Sequence, residues 1–452
     1  MTIFSEATRS ASTGHDYPRG VAQQPDRITA GTEGVVNDQQ AASGSVYAKP
    51  PRNQHIELLR VFAIISIAVF HVFLSWFTQA AGLGAHQQQI VDSHAELLAA
   101  SFPSMWAMGV INLLGSWGNH VFFMISGFFL IPSLAEYSHE FDYWRSQVVP
   151  TLKRCLTVVL SVLFYGFIAL AVNAWIMPLP GAGSVSWWGM GLEFIWLYLV
   201  FVALAPMIAW GIERIGSAKA EILAFAVLAV VYALNAYIAF VAQGDLDGRG
   251  LGDWRKQMSA VTYLVSFIFA GLIGKRVRNT SIGGSEPKAR QWWRKPRIIL
   301  WMMIAVCLLT LLLTGVLAAS GRYALLYALS FKSTSLIACA LAVLALLFCA
   351  SVQRSIRVAA VFRARVVSAL APGILGFYIA QSLMHALWFA PCYAAMRTML
   401  AHAMGQGAAV QAMWMIAFFA FGIVFALLFA VVVCLFDRFL RQPVLRALRL
   451  LR

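Results

Sequence analysis

Charged residues are scarce. They make up 12% of a 452-residue chain in which 60% of residues are hydrophobic, against about 25% charged in a soluble domain, which excludes a soluble globular enzyme. A glycine-rich phosphate loop of the G-x-x-x-x-G-K-[ST] kind is missing, so nothing points to an ATP-driven pump. The six cysteines (Cys155, Cys307, Cys339, Cys349, Cys392, Cys434) contain no C-x-x-C pair and do not cluster with histidine. Neither a metal site nor a disulfide framework is therefore expected. Two-residue alternation is absent from the apolar runs, which excludes the strands of a membrane barrel.

What is present is a succession of apolar runs, with a mean hydropathy of +0.73. Ten of them reach the length of about 20 residues that a bilayer crossing needs: near 56–78, 106–131, 155–176, 191–212, 220–242, 259–275, 298–319, 327–350, 367–392 and 411–436. Residues 1–54 are rich in Ser, Thr, Gly, Gln and Ala and lack the apolar core of a signal peptide. The expected architecture is an all-α polytopic membrane protein: a disordered cytoplasmic tail over 1–54, then a membrane domain of about ten transmembrane helices over 55–452, both termini cytoplasmic.

The placement of charge supports that orientation. With the tail inside, 28 of the 34 Lys and Arg fall in inside segments, and the outside loops at 79–105 and 177–190 contain none, as the positive-inside rule requires. The formal charge of +15 is then met by anionic lipid at the inner leaflet of the cell membrane rather than by nucleic acid. The paired tryptophans in QWWRKPR at 291–297 read as interfacial anchors.

The first span, HIELLRVFAIISIAVFHVF, carries Arg60 at its cytoplasmic end and His71 eleven positions later. Eleven steps of 100° end about 20° past three full turns, so the two side chains share a face, about 16 Å apart along the axis. An anion held by Arg60 could belong to a long molecule whose far end reaches His71. An ionisable residue within a span is costly and by default functional. The ordinary alternatives are a His hydrogen-bonded to a neighbouring helix, and an Arg that snorkels to the interface beside Glu57.

Glu57, Arg60, Ala63 and His71 fit the hallmark of the acyltransferase 3 family of integral membrane acyltransferases: an Arg, ten intervening residues and a His, with an acidic residue three positions before the Arg. GNHVFFMISGFFL at 118–130 resembles that family's second-span signature through Gly118, Phe122, Phe123, Ser126, Gly127 and Phe128, with Asn119 and His120 as departures. Lys153 and Arg154 answer its next basic cluster, although Thr157 stands where a further Arg is usual. Weaker likenesses follow at 192–206, where Glu193 replaces Trp, at 267–274, and at 372–385, where Gln381 replaces His. The resemblance runs from about residue 52 to 440.

That resemblance implies transfer of an acyl group, usually acetyl from acetyl-CoA, to a hydroxyl of a cell-envelope glycan, a lipid-linked sugar or a related acceptor. Acetyl-CoA is cytosolic and anionic, so its expected dock is Arg60, Lys153 and Arg154. The thioester would lie near His71, with His120 expected at a similar depth as a second acid/base group. Asn173, Glu193, Gln381 and His385 are the polar residues expected to meet the acceptor, Gln381 and His385 four apart on one helix face. Direct attack on the thioester and a two-step route through an acylated residue, Ser126 being the nearest hydroxyl in a matched motif, both remain open. A proton-coupled transporter or exporter is the rival function, since it too would use intramembrane His and Glu. A broken-helix signal occurs at Pro372–Gly376 without a counterpart in the first half.

Overall fold

A computed structural model describes residues 53–82, 92–241, 254–281, 295–330, 335–352 and 366–450. The tail expected over 1–54 lies, up to residue 52, outside the described residues, as do the basic stretches 282–294 and 353–365. From Arg52 onward the chain forms one compact unit.

Every described element is helical. The long helices are α1 (Gln54–Ala80), α2 (Phe102–Ala135), α3 (Tyr143–Trp175), α4 (Glu193–Ile215), α5 (Ser217–Phe240), α6 (Trp254–Ser281), α7 (Pro296–Ala319), α8 (Leu336–Ser351), α9 (Ile374–Leu383), α10 (His385–Ala403) and α11 (Ala408–Phe436). Their starts follow local chemistry. Asn53 accepts the backbone N–H of His55 at 3.0 Å to open α1, and Pro stands in the first turn of α2 and of α7, where its missing N–H costs nothing. Between α4 and α5 only Gly216 intervenes, at φ 87, a left-handed conformation open to glycine that lets the chain reverse at once.

Among the described residues nine helices are long and apolar enough to cross a membrane, rather than the ten expected. The difference lies in the run 327–350. Ser335 accepts the N–H of Ala338 at 3.2 Å and begins a new helix there, so the run is divided between Tyr323–Ser330 and α8. Sixteen residues of α8 rise only about 24 Å, short of a hydrocarbon core of about 30 Å. The expected span 367–392 is likewise interrupted, at Met384.

The core is built on α2, whose apolar window is 72% buried, against 17% for α7 and 22% for both α5 and the segment starting at Ala408. Helices in lipid gain from close backbone approach, which small residues permit. A Cβ on Gly118 would meet the Ile67 side chain at 2.6 Å and the Ala63 carbonyl at 3.0 Å, and one on Gly127 would meet the Phe267 carbonyl at 2.0 Å. The two glycines of the second-span signature thus clamp α2 between α1 and α6.

Candidate functional site

Four helices bring polar groups to the Arg60 end of this core. Arg60 Nη1 donates to both Glu57 oxygens, at 3.0 and 3.1 Å, and the guanidinium lies 5.7 Å from the Phe129 ring centroid. Ser126 on α2 donates to the Phe122 carbonyl at 3.1 Å. Tyr198 on α4 lies close to Ser126 and within electrostatic reach of Arg60 and Arg154. Arg154 on α3 is half-buried, while Lys153, one position earlier, is exposed.

The cations of this cluster differ from those of α6 in how they are met. On α6, Lys275 pairs with Glu213, Arg276 with Glu221 at 3.7 Å, and Arg278 with Glu136. Arg60 pairs with Glu57, and among the described residues neither Lys153 nor Arg154 forms an ion pair. A half-buried guanidinium without a counter-ion costs free energy that an arriving anion returns. The arrangement suits a phosphate-bearing ligand.

His71 lies one face-sharing register from Arg60. Its Nδ1 sits 2.8 Å from the Ile67 carbonyl. A carbonyl only accepts, so Nδ1 carries the proton and Nε2 is the basic nitrogen of the neutral ring.

His120 does not join it. The ring is fully buried, with Nδ1 3.0 Å from Ser266 Oγ and Nε2 3.4 Å from the Tyr232 hydroxyl. Ser266 gives its own hydrogen to the Thr262 carbonyl at 2.8 Å, so His120 Nδ1–H donates to Ser266 and Nε2 accepts from Tyr232. The expectation of two imidazoles at one depth also fails on the packing. Gly115 meets Phe70, whereas Gly118 meets Ile67 and Ala63, so α1 and α2 are antiparallel and His120 lies about two turns nearer the Arg60 end than His71.

The expected acceptor residues stand on four helices. Asn173 Oδ1 accepts the N–H of Leu179 at 2.7 Å and serves a turn. Glu193 opens α4, and its neighbour Phe194 stacks on Tyr378 at 4.4 Å, one turn before Gln381. Tyr378 in turn donates to Asn119 Oδ1 at 3.0 Å, and Asn119 Nδ2 donates to Tyr263 at 3.1 Å. Gln381 and His385 stand on two helices rather than on one face of a single helix. Met384 breaks the run, and the Gln381 carbonyl is met by the Trp388 indole N–H at 3.1 Å. Gln381 is buried, and its Oε1 has no hydrogen-bond partner among the described residues.

His385 is exposed, and it heads a ladder of rings along α10: it stacks on Phe389 at 4.6 Å, Phe389 lies 5.6 Å from Tyr393, and Tyr393 stacks on Trp76 of α1 at 4.3 Å. α10 is antiparallel to α11, since His402 faces Trp414 and Trp388 faces Phe429. α11 is antiparallel to α1, since Phe418 meets Trp76 and Gly422 meets Phe73. α10 therefore runs parallel to α1, which places His385 within about one turn of the level of His71.

Two groups escaped the sequence reading. Tyr198 lies inside the 192–206 segment but looks there like one more aromatic. Asp437 and Arg441 look like part of a basic tail, yet they form a buried pair. Tyr165 donates to Asp437 Oδ1 at 2.9 Å, Gln442 Nε2 and Arg441 Nη2 reach Oδ2 at 3.0 and 2.9 Å, and Arg441 Nη1 donates to Ser161 at 2.8 Å. Spacing i, i+4 on a helix was the available signal.

No group of three or more His, Cys, Asp or Glu that could hold a metal ion occurs among the described residues. The Acyl_transf_3 family model, described as an acyltransferase domain, matches residues 53–435. No curated protein and no solved structure matches the chain. The match covers well over half of the sequence and includes every site residue discussed except Asp437, Arg441 and Gln442. This polytopic helical membrane protein belongs to the acyltransferase family.

Proposed function

We propose that the chain transfers an acetyl group from acetyl-CoA, arriving from the cytoplasm, to a hydroxyl of a cell-envelope glycan or lipid-linked sugar in the cell membrane. The observation that carries this reading is the half-buried Arg154, without an ion pair among the described residues, beside the same Tyr198 as Arg60 at one end of α1, with His71 on the Arg60 face about 16 Å deeper. Phosphates of the donor sit on Arg60 and Arg154, with Lys153 at the exposed rim and Tyr198 donating from the side. The thioester arm then runs along α1 toward His71. In this reading the Arg60 end of α1 faces the cytoplasm.

His71 Nε2 takes the proton from the acceptor hydroxyl as the oxygen attacks the thioester carbonyl carbon. The carbon–sulfur bond breaks, and the departing sulfur takes the proton back from the imidazolium, leaving an ester and free CoA. His120, engaged on both ring nitrogens, holds α2 to α5 and α6 rather than moving that proton. His385 is the second imidazole near the level of His71. With Gln381 and Glu193 it lines the path of the acceptor. Ser126 already donates to a backbone carbonyl, which favours direct transfer over an acylated serine.

Mass spectrometry of envelope glycans and lipids, with and without the gene, tests the reading. A species heavier by one acetyl group, lost on deletion, is the expected result. Identical envelopes together with no acetyl-CoA binding by the purified chain would overturn it.

A further inference from the structure

The far end of α1 carries a second polar cluster that the transfer step does not use. Trp76 is fully buried, yet its indole N–H has no hydrogen-bond partner among the described residues. One turn on, Gln79 Nε2 donates to Ser75 Oγ at 3.0 Å and to the Tyr393 hydroxyl at 3.3 Å, while its Oε1, also buried, has no partner among the described residues. Both residues abut Tyr393: Trp76 stacks on its ring at 4.3 Å. Tyr393 donates onward to Asp92 Oδ2 at 3.1 Å, where Arg397 Nε arrives at 2.9 Å, and Asp92 Oδ1 is held by His94 through its backbone N–H at 3.1 Å and its ring.

A buried donor and a buried acceptor left unmet beside one another each cost free energy, and native structures meet such groups with water or a ligand. A hydroxyl group answers both at once, because it accepts from the indole and donates to the amide oxygen. Aromatic rings beside a fixed carboxylate and guanidinium add the apolar face and the polar rim that a polyol needs. His71, Ser75 and Gln79 follow one another at single-turn spacing along α1, so the cluster lies about 8 to 12 Å beyond His71 on the side away from Arg60.

We propose that Trp76, Gln79 and Tyr393, braced by Asp92 and Arg397, form a sugar-binding subsite that holds a non-reacting part of the acceptor while its reacting hydroxyl reaches His71. This deepens the acyltransferase reading and rests on it for the identity of the ligand as acceptor, though the binding itself does not require CoA.

The test uses the purified full chain in a detergent without a sugar headgroup, with methyl glucoside, N-acetylglucosamine and glucuronate as probes in saturation-transfer NMR. At least one sugar gives a signal with the parent protein. Trp76→Phe keeps the ring stack and removes the donor, and Gln79→Leu removes the acceptor. Each should weaken sugar binding about tenfold, leaving CoA binding and the thermal midpoint near parental values. Sugar signals equal in parent and variants, or no signal with any probe, would overturn the subsite and leave a water-filled gap. A parent that binds sugar through these residues but transfers no acetyl group keeps the subsite and sinks the acyltransferase reading instead.

Discussion

Two arginine clusters in this protein differ in how their charge is met. Arg441 is buried and saturated: its guanidinium reaches both oxygens of Asp437 and the Ser161 hydroxyl, and Tyr165 and Gln442 supply further donors to the carboxylate. Even the backbone beside it is fitted, since a Cβ on Gly376 would come within 1.8 Å of Asp437 Oδ1. Glu57 engages only Nη1 of Arg60, and Arg154 forms no ion pair among the described residues. A buried pair with every lone pair answered has nothing left to offer a ligand, and it fixes α3, α9 and the end of α11 in place. A cluster short of counter-charge remains able to bind one. Arginine inside a membrane protein is thus read by its partners more than by its depth.

The largest effect should come from His71→Ala, which removes the proposed base. Acyl transfer should fall by about 10² to 10⁴-fold while CoA binding, measured by calorimetry, stays near parental. Full turnover in this variant would break the link between the Arg60 cluster and His71 and restore weight to the exporter reading.

Arg441→Ala tests the saturated side. Leaving Asp437 buried without its cation should cost about 3–5 kcal/mol of stability, read as a lower midpoint in denaturant unfolding. If stability is unchanged and CoA binding is lost instead, the assignment of the two clusters must be exchanged.

For Arg60→Ala the expected loss is about 1.5–3 kcal/mol in CoA affinity, with the thermal midpoint little moved because the side chain is partly exposed. Equal CoA binding in variant and parent would reduce Arg60 to an interfacial anchor. Tyr198→Phe, the smallest change, should weaken CoA binding by about 0.5–1.5 kcal/mol and leave the stability of the Asp437 network untouched.

Asp92 adds a pH term at the opposite end of α1. Burial pushes its carboxyl up, but hydrogen bonds from His94 and Tyr393 and the charge of His94 outweigh that and hold it below the usual carboxylate range. A depressed carboxylate contributes stability above its unfolded value and loses it as pH falls through the folded one. The Asp92 contribution is therefore present at neutral pH and disappears only in acid.

Much of the frame was legible in the chain. Apolar runs of membrane length placed most helices, because backbone groups in lipid must be satisfied within the segment. The Arg60 to His71 spacing was equally plain, because helix geometry is periodic. The division of 327–350 at Ser335 was missed because a serine cap inside an apolar run barely alters hydropathy. The break at Met384 was missed because the carbonyl it frees is met by Trp388, a partner seven residues away that no local pattern names.

The sequence by itself determined an all-helical membrane protein, the register that joins Arg60 to His71, and the glycines that let α2 press against its neighbours. Each follows from local periodicity and side-chain size. Only the tertiary structure decided which cations are answered and which are not, that His120 is tied to Ser266 and Tyr232 while His385 approaches the level of His71, and that Trp76 and Gln79 carry buried polar atoms unmet among the described residues. Those facts depend on which helices lie side by side, and hydrogen bonds and ion pairs act over a few ångströms between residues that can stand hundreds of positions apart.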